Sequence, residues 1–302
     1  FTARNYKPIP ELIDLYKIDA KIIGAHGGKE NIKKLNASSK RIIELADYIK
    51  DKNVDIAVHK HSVEAARVAW GLGIKSISFI DNELMVPQNM LVCPLSNVLI
   101  APICISQYVL RNFTPSHVSI LQFDGVCEVA NVYKYKPSES ILKKLNLNTS
   151  LPIIVLRSEP ILASYNKKVG IAKEIINKIK SDVPEAQIIH ITRDGEYKEN
   201  EMEIFDARAL SYYADIVISG GGTMTREAAL LGTRAMTYFY NPLAVDKYLM
   251  KYGLLESYTE NEIMNLNWAK EIKKSSVNKN KVPEFEHPFS LIEKAEKIIS
   301  LM

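Results

Sequence analysis

The feature that most constrains this chain is a repeated alternation of short apolar, β-branched runs with longer stretches of helical spacing. "AKIIGAH" (20–26) reads as strand and "SSKRIIELADYIKD" (38–51) as helix, with Ile42, Ile43, Leu45, Ala46 and Ile49 on one side. "VDIAVHK" (54–60) is strand, "SVEAARVAWGLG" (62–73) is helix ending at glycine, and "KSISFID" (75–81) is strand again. "NVLIAP" (97–102) and "HVSILQF" (117–123) follow. Strands that alternate with helices need crossover connections. The sheet is then mostly parallel and must be covered on both faces.

"KYKPSESILKKLNLNTSLP" (134–152) breaks the rhythm with prolines, serines and lysines and reads as a connection carrying a short helix. A second series begins after it, with strands expected at 153–158, 187–193, 202–205, 215–220 and 234–240. Helices are expected around 166–181, 209–214, 225–232 and 244–253. A chain of 302 residues suits two cores better than one. The expectation is an α/β protein of two doubly wound parallel-sheet domains facing across a cleft. Their spans are 1–137 and 138–287, with an amphipathic C-terminal helix at 288–302. "FTAR" looks like the end of a strand, so further residues are expected ahead of Phe1.

Net charge is +4 and the lysines are dispersed, which does not indicate nucleic acid as a partner. Attraction to an anionic substrate or membrane surface stays open. Cys93, Cys104 and Cys127 have no CxxC spacing and read as reduced core residues of a cytoplasmic protein. "MLVCPLSNVLIAPICI" (90–105) is too interrupted by proline, serine and asparagine for a membrane span and reads as buried strand plus turns. The wider stretch 84–105 also allows a lipid-facing patch, hence a peripheral membrane contact. Oligomeric state is not legible.

"DIVISGGGTMTREAALLG" (215–232) carries the chemistry. Gly220, Gly221 and Gly222 stand where a strand hands over to a helix, the place where open parallel sheets bind ligands. Glycine lets an anion approach the backbone, and the helix start offers N–H groups and a positive dipole end. A plain tight turn is the alternative, but three glycines exceed what a turn needs. Neither a Walker A loop nor GxGxxG is present. Ser219 precedes the glycines, and Thr223 and Thr225 can cap the helix or donate hydroxyls to a phosphate. With Thr223 as N-cap, Glu227 lies one place past the capping-box position and is available to ribose hydroxyls.

Arg157, at a predicted strand end, suits a diphosphate through its planar fork, or pairs with Glu159. Arg193-Asp194 occupies an equivalent strand end, and Arg226 adds charge near the loop or is a solvated helix position. His26, before two glycines, is a candidate base or a structural histidine. Asp81, with Glu83 nearby, is a candidate base or acceptor contact, or a helix N-cap. His59 and His61 would share one side of a strand, but no third ligand is in reach and no metal is expected. Tyr238 and Tyr240 pack beside the glycine loop or in the core.

"YYADIVISGGGTMTREAALLGT" (212–233) resembles the signature of the DUF354 family. So do "HGG" (26–28), "EAARVAWGLGI" (64–74), "FIDNE" (79–83), "VLRSEP" (155–160) and "GLLESYT" (253–259), so the resemblance covers almost the whole chain. That family is similar to the GT-B glycosyltransferases and the non-hydrolysing UDP-N-acetylglucosamine 2-epimerases. The resemblance implies a GT-B-like fold whose closing helix crosses back to the first domain. It implies a nucleotide diphospho-sugar, UDP-linked, as donor substrate in the second domain and no cofactor beyond it. Ser219, Gly221, Gly222 and Thr223 would lie near the diphosphate and Glu227 on the ribose. The first domain would take a sugar or lipid-linked acceptor.

Two departures bear on the reaction. The epimerases carry a His-Arg pair where this chain reads Arg157-Ser158-Glu159, and retaining GT-B enzymes often carry a second Glu where this chain has Ser219. About thirty residues that help line the acceptor side are expected ahead of Phe1 from the fold. The expected function is metal-independent sugar transfer. Loop amides, helix dipole and Arg157 would stabilise the leaving diphosphate, and His26 or Asp81 would deprotonate the acceptor. An epimerase of the same fold and a non-catalytic sugar-nucleotide-binding protein are the alternatives.

Overall fold

Each half of the alternating pattern builds its own core. The computed structural model describes residues 1–28, 30–159, 170–192, 206–275 and 281–302. It divides into two units, residues 1–123 with 288–302, and residues 124–287.

The first unit opens with β1 (Thr2–Asn5), α1 (Ile9–Leu15), β2 (Lys21–Ala25) and α2 (Asn31–Ile49). It continues through β3 (Ile56–Lys60), α3 (Val63–Gly71), β4 (Lys75–Phe79) and α4 (Val86–Val92), then β5 (Val98–Pro102), α5 (Gln107–Arg111) and β6 (Ser119–Phe123). Strands β1 and β2 pair in parallel, and β3-β4-β5-β6 form a second parallel sheet. Strand β5 is buried at every residue, as a parallel strand covered on both faces must be. The C-terminal helix Ile292–Ser300 packs against β5, and Phe289 meets Phe79 edge-on with ring centroids 5.4 Å apart.

The stretch read as buried strand plus turns differs in its first part, where α4 is helical. Pro87 sits in the first turn of that helix, where its missing N–H has no intrahelical partner to lose. Helix α4 leaves Val86, Met90 and Leu91 exposed while β5 is wholly inside. Among the described residues no helix is long and apolar enough to cross a membrane. Cys93 and Cys127 are buried, and burial pushes the Cys93 thiol up to about 11.

A buried carboxylate ties the first unit together. Glu64 of α3 accepts from Arg4 Nη2 at 2.6 Å, Ser38 Oγ at 2.9 Å and Arg41 Nη1 at 3.3 Å. Arg41 Nε also donates to Ile23 O, and its side chain would lie 2.7 Å from a Cβ at Gly24, which explains that glycine. Burial alone would raise the Glu64 pKa. Its backbone N–H, Arg4, Ser38 and Arg41 outweigh burial and hold it below its usual 4.5. The stabilisation from this carboxylate is therefore full above 4.5 and is lost as pH falls through the lower, folded value. Glu64→Gln should cost on the order of 2 kcal/mol at neutral pH, from the charge-assisted bonds lost. It should also flatten the acid limb of urea midpoints measured from pH 7 to pH 3. An unchanged acid limb would show that other carboxylates control it.

The second unit begins with α6 (Val129–Val132) and α7 (Ser140–Lys144), then β7 (Ile153–Arg157), α8 (Ala172–Asp182), β8 (Gln187–Ile191) and α9 (Ala207–Tyr213). It goes on through β9 (Ile216–Ser219), α10 (Thr223–Leu230), β10 (Arg234–Thr237) and α11 (Ala244–Lys251), then β11 (Leu255–Ser257), α12 (Glu260–Met264) and α13 (Trp268–Ser275). The sheet order is β11-β10-β9-β7-β8, all parallel. Ile154, Leu156, Ile216, Ile218 and Met236 face one core with Ala172, Ile175, Ile179, Ile263 and Trp268. The alternate residues Ile153, Val155, Val217 and Ala235 are equally buried and face the side covered by α9 and α10. The sheet is doubly wound. After β7 the chain adds β8 on one side and β9 on the other, so a topological switch point lies at the C-terminal ends of β7 and β9.

The sequence reading assigned residues 124–137 to the first domain, whereas the structure groups them with the second unit. The strand expected at 202–205, the first turn of the helix expected at 166–181, and Arg193-Asp194 lie outside the described residues.

Candidate functional site

Strand β9 ends at Ser219, which pairs in register with Arg157 at the end of β7. The turn that follows explains each of its glycines locally. A Cβ on Gly220 would lie 2.5 Å from Glu159 Cγ and 3.0 Å from Glu159 Cα, so the chain leaving β7 packs directly on Gly220. Glu159 is buried there, its Oε1 accepting the Ile171 N–H at 2.7 Å. Gly221 has φ +97°, and a Cβ on it would stand 3.2 Å from the Phe239 side chain. Gly222 has φ 112° and ψ −178°, a region essentially closed to other residues. Three glycines are thus required by the shape of the turn, and their number alone does not signal a ligand.

Two expected ligand contacts are corrected. The Ser219 and Thr225 hydroxyls are buried and hydrogen-bonded to each other, and Ser219 Oγ also accepts the Gly221 N–H at 3.1 Å. These three groups hold the loop from beneath. Gly222, not Thr223, is the N-cap of α10. Thr223 is the first helical residue and is exposed, and no side chain caps the helix. The first-turn N–H groups of α10 therefore have no intrahelical acceptor, and the positive end of the helix is left open.

Glu227 lies one turn into α10 and accepts from Asn131 Nδ2 at 2.7 Å. Burial is the main cause that raises its pKa, and Glu128 adds to it, while Asn131, Arg208 and Arg157 oppose. Arg157, in register with Ser219 at the end of β7, is near enough for its charge to oppose that rise. Arg226 is neither a loop charge nor a solvated position. It is buried, with Nε 2.7 Å from Asp246 Oδ1 and Nη1 2.8 Å from Glu128 Oε1. Tyr238 belongs to the core and Tyr240 is exposed, and Phe239 is the ring beside the loop.

His26 and Asp81 belong to the first unit. His26 is exposed after β2, its ring 4.5 Å from that of Tyr6. Its Nδ1 accepts the Gly28 N–H at 3.1 Å, which puts the proton of a neutral ring on Nε2. In this arrangement Nδ1 is engaged and is not the atom that would take a proton from an acceptor. Asp81 does not cap a helix. Its Oδ2 lies 2.7 Å from Lys60 Nζ, and the charge that would abstract a proton is matched by an ammonium. His59 is in β3, whereas His61 lies beyond the strand with φ 50°, so the expected two-residue alternation fails. Burial, and then His61, lower the His59 pKa to about 4 and keep its ring neutral. Among the described residues no three His, Cys, Asp or Glu side chains cluster as metal ligands.

Sequence reasoning missed Glu128 and Asn131. Their i, i+3 spacing within "EVAN" was the available signal, because it puts two polar side chains on one face of a single helical turn.

The family model described as "Protein of unknown function (DUF354)" matches residues 1–299. The chain belongs to that family. The DUF354 chain is 35% identical over 279 residues to the "Uncharacterized protein MJ0665" of Methanocaldococcus jannaschii, covering 87% of this chain and 81% of that one. Its fold is shared with the UDP-GlcNAc 2-epimerase of Neisseria meningitidis bound to UDP-GlcNAc, with a TM-score of 0.68 at 14% identity over 99% of this chain and 90% of that one. It is also shared with the spinosyn forosaminyltransferase SpnP, with a TM-score of 0.54 at 12% identity over 99% and 91% of the two chains. The DUF354 chain therefore has the fold of the GT-B epimerases and glycosyltransferases.

Proposed function

We propose that the second unit binds a nucleotide diphospho-sugar, UDP-linked, and that the protein transfers the sugar to an acceptor without requiring a metal. The observation that carries this is the uncapped, glycine-led start of α10 at the switch point, with Arg157 and Glu227 beside it. The diphosphate takes the first-turn N–H groups and Arg157, and ribose hydroxyls take Glu227. As the glycosidic bond breaks, negative charge grows on the diphosphate, and fixed donors pointed at it stabilise that charge more than they stabilise the bound substrate. The fold shared with a UDP-GlcNAc-bound protein supports the ligand class.

Transfer is favoured over epimerisation by the loop after β7. Its Glu159 is buried and bonded to the Ile171 N–H, residues 158–170 contain no histidine, and the neighbouring His190 of β8 is engaged through Nε2 by Ser158 Oγ at 2.7 Å.

A thermal-shift series with UDP, UDP-hexosamines and inorganic pyrophosphate tests the reading. A ligand at one hundred times its Kd should raise the melting temperature by about 5 °C for a chain of this size. The absence of any shift with every nucleoside diphosphate at millimolar concentration overturns it. Release of UDP that depends on an added acceptor distinguishes transfer from binding alone, and appearance of the C2 epimer would select the epimerase instead.

A further inference from the structure

Asn131 is the residue through which the beginning of the second unit reaches the candidate site. Consecutive residues of α10 grip consecutive polar positions of α6 and its N-cap. Arg226 Nη1 holds Glu128 Oε1 at 2.8 Å, and Glu227 Oε1 accepts from Asn131 Nδ2 at 2.7 Å. The Asn131 carbonyl is held as well, accepting from Arg208 Nη1 at 2.7 Å. Arg208 is fixed in turn by Asp206, through Nε to Oδ1 at 3.2 Å, and lies over the Tyr135 ring at 4.5 Å. Tyr135 donates its hydroxyl to the other oxygen of Asp206 at 2.7 Å. The amide of Asn131 is therefore presented from a backbone anchored on both sides.

Resting on the nucleotide reading above, we infer that Asn131 is a positioning residue for ribose recognition. It occupies Glu227 Oε1 so that Oε2, which has no hydrogen-bond partner among the described residues, faces the vicinal hydroxyls. An unanchored glutamate would sample several rotamers and take a ribose with an entropy cost that the fixed one avoids. The bond also favours the ionised carboxylate against burial and the neighbouring Glu128, and the ionised form is the stronger acceptor of hydroxyl hydrogens.

The test is titration of UDP, 2′-deoxy-UDP and pyrophosphate into the wild-type protein, Asn131→Ala and Glu227→Gln across pH 5 to 8. Asn131→Ala should weaken UDP about tenfold, the size of one charge-assisted hydrogen bond. It should leave pyrophosphate unchanged and shrink the preference for UDP over its deoxy counterpart. The pH below which that preference disappears should move upward, because the variant loses a bond that lowers the Glu227 pKa. Glu227→Gln should lose the preference and its pH dependence together. Equal loss of UDP and pyrophosphate in Asn131→Ala, or a preference and pH profile that do not move, overturns the assignment while leaving the nucleotide reading intact. Wild-type protein that binds neither UDP nor pyrophosphate overturns both.

Discussion

Arg226→Ala is expected to cost the second unit about 3–5 kcal/mol of stability, the range for removing one partner of a buried ion pair. The guanidinium is buried between two carboxylates that are themselves buried, those of Glu128 and Asp246. Burial opposes its charge, yet the two carboxylates outweigh burial and hold the arginine more firmly protonated than usual. Asp246 has a second duty, since its Oδ2 accepts the Leu243 N–H at the start of α11 at 3.0 Å. Glu128 Oε2 is buried with no hydrogen-bond partner among the described residues. Without Arg226, two carboxylates are left in a low-dielectric pocket with no cation, and each must take up a proton or remain as an unpaired charge.

The urea midpoint of Arg226→Ala should fall accordingly, with the slope of the transition unchanged. Arg226→Met with Glu128→Gln and Asp246→Asn should recover most of the loss, since no buried charge then remains. A loss below about 1 kcal/mol in Arg226→Ala would place the pair among surface-like bridges and contradict its burial.

This cluster also shows where the sequence stops being readable. Strands β7 and β9 were legible because a parallel strand covered on both faces leaves an unbroken apolar run, as in "IIVL" and "IVI". Helix α4 was not, because Pro94 interrupts the apolar stretch just after it, while Pro87, in its first turn, is tolerated. The grouping of 124–137 with the second unit depends on Glu128 meeting Arg226, 98 positions later in the chain, and no local pattern announces such a pair.

The glycine loop is legible as a strand-to-helix turn, but Thr223 as N-cap starts the helix one residue late. Moving the N-cap from Thr223 to Gly222 turns every helical position by about 100° relative to the expected frame. In the observed frame the Thr225 hydroxyl is inside with Ser219 and Thr223 is outside. Boundaries decide which hydroxyls face a ligand, and boundaries are what a single sequence specifies least.

Gly221→Val is expected to abolish nucleotide binding, by a hundredfold or more in Kd, which corresponds to about 2.7 kcal/mol. Gly221 sits at φ +97°, where a β-branched residue is strained by about 1–3 kcal/mol, and its new Cβ would press on Phe239 at 3.2 Å. The chain can relieve both only by turning the residue to negative φ. That rotation withdraws the Gly221 N–H from Ser219 Oγ and re-aims the peptide groups that lead into α10. The N–H groups proposed to hold the diphosphate then no longer converge. Because the diphosphate loses its seat, pyrophosphate should weaken as much as UDP, in contrast to Asn131→Ala, where only the ribose is affected. Isothermal titration of both ligands into both variants separates the two contributions. Undiminished UDP affinity in a Gly221→Val protein that melts lower than wild type would mean that the glycine serves the turn alone. The diphosphate site would then have to be sought away from the start of α10.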